Sequence, residues 1–284
     1  MSRRRRGPGG HRTGPLAAVL VLVALLAGGT GGGTEEAEPT PATGPSSAAP
    51  VRATPPPRPS VGTCYRLDYD EALSPTNRSR PVPCTRPHTA TTYAVGSLAT
   101  VVEGHLLAVD SDRVQAQVAQ ACPARLGGFL GATPAQLRLT SLRPVWFTPT
   151  LRQSDAGQSW YRCDVIALAG PERLAPLVGD LERALATPDG RRRYGICGTA
   201  QPGTPRFERI ICASPHTWRA LASYDLPRDS YPDQDQVHRL AEDRCRPAAR
   251  AVAADTLDYQ WGYDWPTRQE WRAGQHYGLC WAPG

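Results

Sequence analysis

Along residues 61–284 the apolar positions run through the same succession twice. In the first stretch, residues 63–67 and 90–98 have the apolar and β-branched content of strands. Val114, Val118, Ala121, Cys122 and Leu126 then recur at the three-to-four-residue spacing of one helical face, with Asp110 or Ser111 placed to cap its start. Residues 145–147 and 161–168 close the stretch as strands. In the second, a helix is marked by Val237, Leu240, Ala241, Cys245 and Ala249, and strands by 209–212, 218–224 and 276–281. Strands, one main helix and further strands define an α+β module, an antiparallel sheet carrying a helix on one face. Pro123 and Pro247 follow the helical cysteines and predict a kink or an end there. Between the copies, Leu174, Leu177, Val178, Leu181 and Leu185 fall at helical spacing, which predicts a connecting helix over 171–187, stopped near Pro188 and followed by three arginines.

The cysteines turn this similarity into a repeat. Cys64, Cys84, Cys122 and Cys163 match Cys197, Cys212, Cys245 and Cys280 in order, at offsets of 133, 128, 123 and 117, so the second copy has the shorter connections. Cys84 and His88 frame a C-x-x-P-H motif that returns at Cys212 and His216. Pro149-Thr150 and Ala156-Gly157-Gln158 return as Pro266-Thr267 and Ala273-Gly274-Gln275 at a constant offset of 117. The predicted organisation is a leader over 1–29, a stalk over 30–60, one module over 61–170, a helical linker over 171–193 and a second module over 194–284.

Charge narrows the class. All 32 basic residues are Arg, and the net charge of +6 sits mainly in the first 60 residues, which hold 7 Arg against 3 acids. The modules carry 10 Arg against 8 acids and 10 against 11, which excludes the basic domain needed for a phosphate backbone, so nucleic acid is not an expected partner. Arg3 to Arg6 and Arg12 precede an apolar run over 15–27 and then small residues, the pattern of a secretory signal or a short signal anchor that would put the rest of the chain outside the membrane, anchored or secreted. Residues 30–60, rich in Gly, Pro, Thr, Ala and Ser, bury too little apolar surface to offset their ordering entropy.

Gly62-Thr63-Cys64, the C-x-x-P-H motif, the helical Cys and the Pro-Thr, Gly-Gln and Cys landmarks together resemble the septum formation domain of actinobacteria, in two tandem copies. The tryptophan usual before that family's Gly is present as Trp271 but is Ser154 in the first copy, and the acidic residue often following the His is Ala90 or Trp218. The resemblance implies an extracytoplasmic domain of a secreted or membrane-anchored protein, with a role in division or envelope biology and no established reaction.

Eight cysteines outside the membrane read as disulfides. Four per copy allow three pairings; first with second and third with fourth is favoured, because it ties the helix to the last strand. A metal site built on Cys84 and His88 lacks a second close pair, and no metal or cofactor is expected. His88 and His216 recur in both copies, either as ligand-contacting groups or as turn residues bonded to a nearby carbonyl. Among Tyr259, Trp261, Tyr263, Trp265 and Trp271, Trp261 and Trp265 are the candidates for binding a sugar or a partner, against the plainer reading as core and rim. With no catalytic motif in the chain, the expectation is a non-enzymatic envelope protein that binds an envelope protein or a wall component. Its rivals are a hydrolase or thiol oxidoreductase using Cys84 and His88, and a polysaccharide binder.

Overall fold

The computed structural model describes residues 57–284; the predicted leader and all but the last residues of the predicted stalk lie outside the described residues. The first module contains β1 (Cys64–Tyr65), α1 (Tyr69–Leu73), β2 (Ala90–Ser97), a small hairpin of β3 (Val101–Val102) and β4 (His105–Leu106), α2 (Asp112–Leu130), α3 (Pro134–Arg138), β5 (Leu142–Phe147), α4 (Leu151–Asp155), β6 (Trp160–Gly170) and β7 (Arg173–Ala175). A 3-10 turn (Ala184–Ala186) and α5 (Pro188–Tyr194) lead into the second module, which contains β8 (Ile196–Gly198), β9 (Arg209–Ile211), β10 (Trp218–Asp225), α6 (Gln234–Arg250), β11 (Gly262–Asp264), α7 (Arg268–Arg272) and β12 (Tyr277–Pro283).

Both sheets are antiparallel and their strand orders repeat. The first runs β1-β2-β6-β5 with β7 beside β6, and the second runs β11-β12-β10-β8-β9. Read from the other end, the second order places β8, β10, β12 and β11 where the first has β1, β2, β6 and β5. The register repeats as well: Cys163 faces Ala94 and Trp146, and Cys280 faces Ala222 and Tyr263. A bulge interrupts β2 between Thr92 and Ala94, and β10 between Ala220 and Ala222.

The four disulfides join Cys64 to Cys84, Cys122 to Cys163, Cys197 to Cys212 and Cys245 to Cys280. Because β6 and β12 are interior strands, the second bridge of each copy pins the helix over the middle of its sheet. On that face Val114, Val118, Cys122, Leu126 and Leu130 of α2 are buried, as are Val237, Ala241, Cys245 and Ala249 of α6. Both helices run on past their prolines, α2 to Leu130 and α6 to Arg250, which removes an end at Pro123 or Pro247 from the two alternatives of kink or end. Leu126 and Leu130 keep α2 on the sheet beyond Pro123, so packing offsets the lost backbone bond.

The connecting helix expected over 171–187 is absent. Pro176 and Gly179, whose φ is 72°, interrupt that stretch, which forms β7 and then loops back with Leu177, Leu181 and Leu185 buried in the first core. Helix appears only at α5, where Thr187 caps the first turn and Pro188 occupies its N1 position. The modules are fused rather than strung. Tyr194 and Ile211 pack into the first module's core, the Ser141 amide donates to the Tyr194 carbonyl at 2.7 Å, and the Ile196 amide donates to the Leu139 carbonyl at 3.0 Å.

A glycine faces a tyrosine once in each sheet, with the roles exchanged. Gly96 of β2 pairs with Tyr161 of β6, whereas Tyr224 of β10 pairs with Gly278 of β12. The ring lies across the space a side chain on the facing strand would fill. A Cβ at Gly278 would overlap the Tyr224 ring and the Asp264 carbonyl. Gly278→Ala is expected to cost about 2 kcal/mol by overpacking, read as a lower urea midpoint at unchanged slope; an unmoved midpoint would mean that the ring swings aside freely.

Candidate functional site

The two landmark motifs prove to be local scaffolding. Thr150 and Thr267 each cap a short helix in a reciprocal capping box, with Gln153 and Glu270 respectively. Gly157 and Gly274 then take left-handed conformations, φ 86° and 98°, that turn the chain into the last strand. The histidines of the C-x-x-P-H motifs behave alike: His88 Nδ1 lies 2.9 Å from the Arg86 carbonyl oxygen, and His216 Nδ1 lies 2.8 Å from that of Ser214. A carbonyl oxygen only accepts, so Nδ1 carries the proton in both rings. His88 is buried with Nε2 unpartnered, and His216 is half-buried. Cys84 and Cys212 are bonded to Cys64 and Cys197, so neither offers a thiolate to a metal or a substrate.

Tyr263 at the centre of β11, with Trp261 and Trp265 just before and after the strand, forms a half-buried ladder with ring centroids 6.1 and 5.8 Å apart and planes within 28° of parallel. Their inner edge packs on the α6 core. The stacking covers both faces of Tyr263 and one face of each tryptophan.

The second sheet's other face is where the two copies diverge. In the first module that face is closed by α1: Ala72 sits on Val145, Phe147 and Ile166 in a second small core. The connection from Cys197 to Cys212 is five residues shorter than that from Cys64 to Cys84 and holds no helix, so in place of α1 only Phe207, Tyr277 and Leu139 of the first module pack over Leu279 and Trp281. The result is a cleft of about 740 Å³ between this face and the end of the first module, within the size range of small-ligand sites. Phe207, Trp265 and Tyr277 give it aromatic walls, Leu168, Ile196 and Leu279 an aliphatic floor, and Arg138, Arg143, Arg209, Glu208, Asp264 and Glu270 its charges.

Those charges are unequally paired. Arg209 donates to Asp264 at 2.7 Å and lies 3.4 Å from Glu270. Arg138 reaches across the modules to Asp225 at 2.7 Å while lying over the Tyr277 ring at 4.6 Å. Burial raises the Asp264 carboxyl above its ordinary range, against the opposing pull of Arg209. Arg143 has no carboxylate partner among the described residues: its Nη1 donates to the carbonyls of Thr140 at 2.5 Å and Leu142 at 2.8 Å. Burial, with the nearby Arg209 charge, lowers its pKa, while Tyr277 acts the other way. Of the candidate binding residues named from sequence, the cleft takes in Trp265 alone, beside the landmark residues Thr267 and Gln275. Arg143 and Arg209 belong to no motif; the visible signal was the shortened second-copy connection.

Among the described residues, no group of three or more His, Cys, Asp or Glu is arranged to hold a metal, and no helix is long and apolar enough to cross a membrane. Fold and site together define a duplicated, disulfide-tied α+β protein with a cleft at the seam of its copies. The septum formation family model matches residues 46–154 and 146–280, and the chain belongs to that family. No curated protein and no solved structure matches. The two matched ranges meet at 146–154, whereas the strand order assigns β6 to the first copy. Family and four disulfides together point to an extracytoplasmic location and an envelope or cell-division role.

Proposed function

We propose that this is a non-enzymatic binding protein of the cell envelope that works with the septum formation machinery, exported by its N-terminal segment and either secreted or held by it at the membrane. The observation that carries the reading is the seam cleft, a concave surface with mixed aromatic and charged walls on the sheet face that lacks a covering helix among the described residues. It is supported by the chemistry of the repeated motifs. The cysteines that a thiol oxidoreductase or a Cys–His hydrolase would need are bridged, and the motif histidines commit Nδ1 to backbone carbonyls. A fluorescently tagged full chain, imaged in dividing cells of the source organism, is expected to concentrate outside the membrane at division sites. Even distribution around the envelope would remove the septal part of the reading, and a cytoplasmic signal would remove all of it.

A further inference from the structure

We infer that the seam cleft binds the free α-carboxylate at the end of a peptide, with Arg143 as the carboxylate's partner and Phe207, Trp265 and Tyr277 around the terminal apolar side chain. This deepens the binding reading above and rests on it.

Arg143 sits on β5, at the end of the first module, and two backbone carbonyls fix its Nη1. The guanidinium is thereby held in one orientation, and it carries further N–H groups in the planar fork that matches a carboxylate. A half-buried cation without a counter-charge is costly to keep, so an anion arriving from outside meets a preorganised partner. The other two arginines of the cleft are already engaged with Asp264, Glu270 and Asp225, which leaves Arg143 as the group with charge to spare among the described residues.

The rest of the lining limits what can bring that anion. Three arginines face three acidic residues, so the cleft has no net positive field to attract a polyanion, and Glu208 and Glu270 would repel a second or third negative group. One carboxylate is therefore favoured over a string of phosphates. Aromatic and aliphatic walls ask for an apolar body next to the charge, and Gln275 and Thr267 offer polar contacts beside it, as a peptide bond requires. The cleft volume of about 740 Å³ holds two or three residues of a chain end. Such an end has two sources outside a membrane: the C-terminus of an exported protein, or a stem peptide of the cell wall.

The test uses the full chain, purified with its disulfides intact, and titration calorimetry with N-acetyl-Ala-Leu as the free acid and as the C-terminal amide. The free acid is expected to bind at least tenfold more tightly than the amide. In Arg143→Gln that preference is expected to fall to twofold or less, with the thermal midpoint moved by only a few degrees. Equal binding of acid and amide, no binding of either at millimolar concentration, or a preference kept in Arg143→Gln would each overturn the proposal. The acid-to-amide comparison on the unaltered protein reads the carboxylate without any substitution, so it decides the matter even if the variant misfolds. A second pair of titrations, with soluble stem-peptide fragments of the wall and with all-L peptides, assigns the source: tighter binding of one identifies it, and binding of neither overturns the proposal. Loss of the in vitro preference with septal localisation intact defeats the carboxylate site alone; the reverse outcome defeats the septal role alone.

Discussion

Arg162→Met is expected to destabilise the protein by about 3–5 kcal/mol at neutral pH, since removing one partner of a buried ion pair strands the other charge. Arg162 and Asp164 alternate along β6 on the face covered by α1, with side chains 5% and 0% exposed and charged atoms 3.2 Å apart. The guanidinium also lies 3.7 Å over Tyr65 and 4.5 Å over Phe147, and the Thr92 hydroxyl donates to Asp164 at 2.7 Å. Burial pushes the Asp164 carboxyl up to about 6, against the opposing effects of Arg162 and the Thr92 hydrogen bond. The folded chain therefore holds this proton more tightly than the unfolded chain, whose value is near 3.8. Stability from this group is present in full below that value and is lost as pH rises through about 6, a change of about 3 kcal/mol. Without Arg162 the carboxyl would rise further, so the penalty should be smallest near pH 4 and largest near pH 8. Urea unfolding of both proteins across that range measures it; a penalty independent of pH would mean that Asp164 carries no charge in the native protein.

Replacing Cys122 and Cys163 together with Ala should lower stability by about 4 kcal/mol, because the bridge closes a span of 41 residues and so removes much of the unfolded chain's freedom. The Cys245–Cys280 bridge spans 35 residues and should be worth nearly as much by the same reckoning. In a unit of this size the loss appears as a fall in thermal midpoint of roughly 10 °C. The two shorter bridges, spanning 20 and 15 residues, tie strand to loop rather than helix to sheet. A Cys122→Ala/Cys163→Ala double variant that melts with the unaltered protein would show that the α2 packing alone holds the helix in place.

Much of this architecture was legible because it follows from spacing. The helical rows through Cys122 and Cys245 mark the two main helices, and the falling offsets between matched cysteines mark the duplication. The connecting helix is absent although five leucines and valines fall at helical spacing, because Pro176 and Gly179 break a helix whatever the period around them. The short elements α1, α4 and α7 left no periodic trace, since five residues are little more than one turn, and their capping boxes are legible only once the helix is known. The cleft was hidden for another reason. It exists because a covering element is missing on one copy, and which sheet face an absent helix would have covered is settled by strand order and register.

The exchanged glycine and tyrosine carry a consequence for the chain's history and for its redesign. Each sheet needs one bulky and one empty position across that strand pair, and the copies satisfy the need with opposite strands. Moving β12 into the place of β6 would bring Gly278 opposite Gly96 and leave a hole; moving β10 into the place of β2 would bring Tyr224 opposite Tyr161 and force two rings into one space. The halves of this protein have ceased to be interchangeable parts: a viable chimera must inherit both central strands from the same parent copy.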